Sequence, residues 1–248
     1  MLHYRSEGTG ETVVFLHGFM ESISMWDYLP LEDLPCKKIF IDLPGHGQSK
    51  LISELGPPSM QYFSDEVLAV LKHIGVNEFS VVGHSMGGYV ALLLKEQVVN
   101  CKRVILLNSN FWSDNEQKKK DRVRIADIAF KAKKILIQES IPNLFGNPAD
   151  FKVEIEKLKS EAMQMSSEAI AFASLAMRER NDFSEEIQMN SNDYFIVHGT
   201  NDRLVQTEDF KLRISNIQQL FLIEDTGHMA HIESPATVLE LLQNFFQP

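Results

Sequence analysis

The chain has 248 residues, 44% of them apolar and 23% charged, with a formal net charge of −10 at neutral pH. A chain of this length buries enough surface to fold without disulfides or a structural metal, and its acidic balance excludes the basic face of a typical nucleic-acid binder. Thirteen Gly and nine Pro in an ordinary apolar background exclude disordered, collagenous and low-complexity classes.

The opening Met1-Leu2-His3-Tyr4-Arg5 lacks the basic-then-apolar pattern of a secretory signal, and no apolar run reaches the ~18 residues of a membrane span. A cytoplasmic location is therefore expected, with no membrane span. Cys36 and Cys101 lie in no metal-ligand spacing. They are expected to be two reduced thiols, with a single bridge between them the alternative.

Six short apolar runs read as buried strands: Thr12–Leu16, Lys38–Asp42, Phe79–Val82, Arg103–Leu107, Tyr194–Val197 and Leu220–Ile223. Runs that are continuously apolar rather than alternating suit a parallel sheet covered on both faces. Leu2–Arg5 is expected to add an antiparallel edge strand. Between these runs, Ser64–His73 has helical spacing, Met86–Val98 is apolar enough for a helix buried against the sheet, and Ser234-Pro235 opens a last helix with a cap and an N1 proline. Alternating strands and helices read as an α/β fold.

From about Asn110 to Asn190 the strand rhythm stops. Asp114–Ile137 reads as a long helix with an apolar stripe of Val123, Ile125, Ile128, Ala129, Ala132 and Ile135, and Phe151–Leu158 and Glu168–Met177 as further helices. So long an insertion between core strands points to function. The expected division is a core of residues 1–110 and 190–248 with a helical cap, or lid, over 111–189. Lys118-Lys119-Lys120 reads as a solvated helix face. The methionines of Glu161–Met177 and Phe172 are read as packing between cap and core, or as lining an apolar acyl pocket.

The strongest chemical signal is Val81-Val82-Gly83-His84-Ser85-Met86-Gly87-Gly88-Tyr89. A buried strand passes through Gly-x-Ser-x-Gly into an apolar helix, the context in which a sharp turn exposes a serine hydroxyl above a sheet. A serine needs a base, and the base a carboxylate to orient it. Asp202 follows the run ending at Val197, and His228 follows the run ending at Ile223, in the order Ser, Asp, His. All three then fall at the carboxyl ends of parallel strands, where ligands bind. Asp225 and Asp114 are rival acids. The backbone amides of Met86, after the serine, and of Phe19, in Leu16-His17-Gly18-Phe19, are the expected oxyanion donors. His84 is expected to point away from substrate, His17 and His46 to tie loops together, and His198 and His231 receive no role. His228 and His231 have no companion at metal-ligand spacing, so neither a metal nor a cofactor is expected.

Leu16-His17-Gly18-Phe19, Asp42-Leu43-Pro44-Gly45-His46-Gly47-Gln48-Ser49, Gly83-His84-Ser85-Met86-Gly87-Gly88, Gly199-Thr200-Asn201-Asp202 and Gly227-His228 together resemble the α/β-hydrolase superfamily. The resemblance implies an eight-stranded, mostly parallel sheet, here shortened at its N-terminal side, with a helical cap. It also implies Ser85, Asp202 and His228 as a catalytic triad served by Phe19 and Met86. The reaction expected is cofactor-free hydrolysis of a carboxylic ester or related small acyl compound, by a monomer or homodimer. Serine at the elbow departs from the haloalkane dehalogenases and epoxide hydrolases, and Met86 from the proline iminopeptidases. Two other chemistries on the same triad stay open: pyruvate elimination as in a menaquinone-pathway lyase, whose usual arginine after the two glycines is Tyr89 here, and carbon–carbon bond hydrolysis. A non-catalytic ligand receptor on the same scaffold is the reading from outside enzymology.

Overall fold

Seven strands form one sheet among the residues that the computed structural model describes, 1–52, 56–214 and 219–246. They are β1 (Tyr4–Glu7), β2 (Thr12–Leu16), β3 (Lys37–Ile41), β4 (Phe79–His84), β5 (Cys101–Leu107), β6 (Tyr194–Gly199) and β7 (Leu220–Ile223). Their spatial order is β1-β3-β2-β4-β5-β6-β7. Every pairing is parallel except that of β1 with β3. The described sheet thus holds the six expected apolar strands and an antiparallel edge strand on the N-terminal side, at Tyr4–Glu7 rather than the expected Leu2–Arg5, one fewer than the eight of the full fold.

Nine α-helices accompany the sheet among the described residues: α1 (Met60–His73), α2 (Met86–Gln97), α3 (Glu116–Ser140), α4 (Lys152–Gln164), α5 (Ser167–Arg178), α6 (Ser184–Met189), α7 (Thr207–Arg213), α8 (Ala230–Glu233) and α9 (Pro235–Phe246). Alternate residues of each strand feed different cores, as the two-residue period of a strand requires. Val14, Leu16, Ile39, Val81, Leu106 and Ile196 face the side covered by α1 and α2. Val13, Phe15, Phe40, Val82, Ile105 and Val197 pack on the other side against Trp26 and, from α9, Val238, Leu242 and Phe245. Both faces are buried, which is why these runs lack polar alternation. Cys36 and Cys101 are free thiols, both buried, so the reduced form is the one observed.

Between β5 and β6 the described chain is helical. Here α3 lies along α5, and Ala126, Ala129, Leu136, Ile137, Ile155, Leu158 and Ala162 form a third core that reaches the sheet's loops at Met20, Met229 and Ile232. The apolar stripe expected along α3 is only partly buried. Val123 is 44% exposed and Ile135 54%. The buried face runs instead through Ala126, Ala129, Leu136 and Ile137, and the helix carries a kink at Ala132 (φ −154°, ψ 47°). Asp114 precedes the helix, and Asn115 caps it by accepting from the Lys118 amide at 2.9 Å.

Register decides function here. Leu16 pairs with Gly83, His84 with Leu107, Leu107 with Val197, and Gly199 with Ile223. The carboxyl ends of five strands therefore lie level, and the loops that leave them carry Phe19, Ser85, Asn108, Asp202 and His228. Phe15 anchors the face below, fully buried with ring centroids 5.2 Å from Trp26 and 5.0 Å from Phe40. Phe15→Ala is expected to lower unfolding free energy by about 3–5 kcal/mol in denaturant titrations. Val153→Ala, at a position 79% exposed, should change it by less than about 0.5 kcal/mol.

Candidate active site

Ser85 links β4 to α2 at φ 49° and ψ −115°, a left-handed conformation that costs a non-glycine residue about 1–3 kcal/mol. Its surroundings impose it. The Ser85 amide donates to the Leu107 carbonyl at 3.1 Å, and the Ser85 carbonyl accepts from Ser109 Oγ at 2.7 Å and from the Gly88 amide at 3.0 Å. A Cβ on Gly83 would collide with the Gly87 carbonyl, and one on Gly87 with the Leu16 carbonyl. The helix can approach the strands this closely only where both positions are glycine.

At that turn Ser85 Oγ lies 2.9 Å from His228 Nε2, and His228 Nδ1 lies 2.7 Å from Asp202 Oδ2. Three side chains up to 143 positions apart in sequence meet in one hydrogen-bonded line. Asp202 Oδ1 accepts from the amides of Leu204 at 2.8 Å and Val205 at 3.2 Å. Burial works against its charge, but His228, His198 and the Leu204 amide outweigh burial and hold the carboxyl down at about 2. An ionised Asp202 accepts from His228 Nδ1, which leaves Nε2 to take the serine proton. The His228 amide donates to the Leu144 carbonyl at 2.7 Å, tying its loop to the helical segment above.

Of the two expected oxyanion donors, one follows the serine at the start of α2 and the other lines the cavity beside it. Met86 is the first residue of α2, where a helix has no internal acceptor for its amide. Phe19 lines the same cavity as Ser85 and His228. That cavity holds about 440 Å³, within the range of small-molecule sites. Phe19, Trp112, Ile125, Leu136, Leu144 and Met177 supply apolar wall, and Asn110, Asp114, Lys118, Arg122 and Arg213 a polar arc. Met177 thus lines the cavity, while Phe172 packs in the core beneath against Phe63. Lys118, expected on a solvated face, bonds the Leu204 carbonyl at 3.2 Å and borders the cavity.

Neither rival acid is the partner of His228 Nδ1, which bonds Asp202. Asp114 is paired to Arg122 and Arg180, and Arg180 stacks 4.2 Å over the Tyr89 ring. Asp225 is exposed in its turn. His17 accepts from the Leu43 amide at 2.9 Å and donates to the Gly18 carbonyl at 2.8 Å, and His46 bonds the Pro44 carbonyl at 3.0 Å, so both tie loops as expected. His84 differs. It borders the cavity, yet it is 1% exposed and engaged on both ring nitrogens, by Glu21 Oε2 at 2.9 Å and by the His228 carbonyl at 3.0 Å. Two residues went unsuspected. Asn108 (φ 45°) bonds Asp202 Oδ2 at 3.3 Å and the Gly227 carbonyl at 3.0 Å. Glu21 lies three residues past Gly18 and carried no signal beyond being an acid near a turn.

Residues 13–241 match the sequence model of the Alpha/beta hydrolase family. The chain is 25% identical over 249 residues to a putative 2-succinyl-6-hydroxy-2,4-cyclohexadiene-1-carboxylate synthase of Haemophilus influenzae, covering 94% of this chain and 96% of that one. It is 26% identical to an uncharacterized hydrolase of Bacillus subtilis over 99% of this chain and 93% of the other. In structure it is similar to a thermophilic esterase from Thermogutta terrifontis, with a TM-score of 0.88 and 27% identity, over 98% of this chain and 92% of that one.

The buried histidines set a pH limit on stability. Burial holds His46 down at about 3, aided by His17, and His231 down at about 3, aided by His84. Both stay neutral in the fold but take up a proton in the unfolded chain below its histidine pKa of about 6.5. Stability is therefore lost as pH falls from about 6.5 toward 3, by up to about 2–3 kcal/mol per pH unit for the two together. Glu21, held at about 2 by His84, His231 and His17 against its burial, and Asp202 add to the loss below the unfolded carboxylate range. Denaturant midpoints at pH 8, 7, 6 and 5 should drop from about pH 6 downward, and His231→Phe should make the slope shallower by up to about 1.4 kcal/mol per pH unit, one histidine's share.

Proposed function

The chain belongs to the alpha/beta hydrolase family, and we propose that Ser85, His228 and Asp202 make it a serine hydrolase of a carboxylic ester or related small acyl compound. The observation that carries this reading is the unbroken line of hydrogen bonds, 2.9 Å from Ser85 to His228 and 2.7 Å from His228 to Asp202. His228 Nε2 takes the Ser85 proton as Oγ attacks the substrate carbonyl. The amides of Phe19 and Met86 receive the negative charge that grows on the carbonyl oxygen, each donor worth about 10²–10³ in rate. Protonated His228, held by ionised Asp202, returns its proton to the leaving alkoxide, which departs as the alcohol. A water then gives its proton to His228, attacks the acyl-serine, and frees the acid and Ser85. The cavity walls, drawn largely from α3 and the loops beside it, fit the expectation that residues 111–189 act as a cap over the site.

Elimination on the same three residues is the second reading. Similarity to the Haemophilus influenzae synthase supports it, as do Lys118 and Arg213 in the cavity wall, cations suited to an anionic group on a substrate. Tyr89 still replaces the arginine expected after the two glycines, although Arg180 reaches over its ring.

Ser85→Ala is expected to lower turnover of p-nitrophenyl acyl esters by at least about 10⁴-fold and to abolish labelling by a fluorophosphonate probe, with the fold retained in circular dichroism. Asp202→Asn should cost about 10⁴-fold in kcat. Retained ester turnover in Ser85→Ala contradicts the hydrolase reading. A wild-type protein that is inert toward esters of graded acyl length but releases pyruvate from the synthase substrate selects elimination.

A further inference from the structure

Glu21 and His84 form an ion pair that the catalytic steps above leave without a task. Both are buried, 5% and 1% exposed. One carboxylate oxygen, Glu21 Oε2, accepts from the Gly18 amide at 2.6 Å and from His84 Nδ1 at 2.9 Å. The other ring nitrogen of His84, Nε2, lies 3.0 Å from the His228 carbonyl oxygen. Both ring nitrogens therefore face acceptors. A neutral imidazole has one N–H and serves one of them; only the imidazolium donates to both.

The contacts made by this pair matter more than its strength. Gly18 precedes Phe19, the oxyanion donor; His84 precedes Ser85; and His228 is the base. We propose that the Glu21–His84 ion pair positions the oxyanion loop and the His228 loop against the elbow, and that it does so only while His84 carries its proton. This rests on Ser85 being the nucleophile. On losing that proton His84 must release either Glu21 or the His228 carbonyl, and one of the two loops is freed. Small displacements of reacting groups cost up to about 10²-fold in rate.

The groups around the pair favour its charged form. The His84 ring is packed 4.9 Å from that of His231 and 5.2 Å from that of His228. Burial opposes charge on His84, but Glu21, the His228 carbonyl and Asp202 outweigh it and raise its pKa. Glu21 is in turn held at about 2 by His84, His231 and His17 against its burial. His231 and His17 have lowered pKa values, both chiefly from burial, so no second cation competes with His84 for Glu21.

Glu21→Gln tests the charge with little change of shape. The amide oxygen can still accept from Gly18 and His84, but without the negative charge it no longer holds His84 in the doubly protonated form that also donates to His228. The expected result is a 10- to 100-fold fall in kcat with KM for a small ester changed less than threefold. Fluorophosphonate labelling of Ser85 should be slower but retained. The wild-type pH profile should show an alkaline limb that is absent from Glu21→Gln and from His84→Gln, and Glu21→Asp should recover part of the lost kcat. A purely structural role would lower the melting temperature of all three variants and leave kcat and pH profile of the folded protein at wild-type values, which overturns the proposal. Nitrogen-15 NMR of the wild type, with labelled histidine, is independent of activity and of variant folding. One solvent-protected imidazole should keep both ring protons at pH 7.5, and a spectrum without one also overturns it. Failure of the serine reading is separately visible, as ester turnover that survives Ser85→Ala.

Discussion

Close approach between α2 and the strands beneath it is the constraint from which the site follows. Gly83 and Gly87 let backbone meet backbone, and the chain can make that turn only with Ser85 at positive φ. The strain is held by bonds from Leu107, Ser109 and Gly88. It opens α2 at Met86, whose amide has no acceptor within the helix. The Ser85 side chain and the Met86 amide are thus both placed by one turn.

The remaining parts reach the same place through the sheet. Parallel pairing brings the carboxyl ends of β2, β4, β5, β6 and β7 level, so residues separated by long helical excursions converge without any direct sequence neighbourhood. Loops at that rim are joined to one another: Asn108 bonds both Asp202 and the Gly227 carbonyl, and the His228 amide bonds Leu144. A rigid base of buried strands therefore carries a set of cross-linked loops, as preorganised chemistry requires.

Features coded by local pattern were legible in the sequence. The apolar runs predicted six strands to within a residue or two, because burial on both faces leaves no other composition, and Gly-x-Ser-x-Gly between strand and helix marked Ser85. Asp202 and His228 could be read because they follow strands directly. What pattern could not supply was partnership across the fold. Glu21 is one acid among many until His84 is seen beside it, and Asn108 is an ordinary turn residue until its bond to Asp202 is known. Ile135 lies outward against its expected stripe because the face of α3 that is covered runs through Ala126, Ala129, Leu136 and Ile137, a choice that packing on α5 makes among several apolar stripes the sequence allows.

Both native thiols are sealed inside the molecule, and burial pushes Cys101 up to about 12 and Cys36 above its ordinary value. Neither is a competent thiolate near neutral pH. A cysteine introduced at Phe130, which is 64% exposed on α3, is then the sole thiol open to maleimide chemistry. The wild-type background needs no prior cysteine removal to carry a fluorophore or spin label there, and a second introduced cysteine on the sheet side would let a label pair read the distance to the helical insertion.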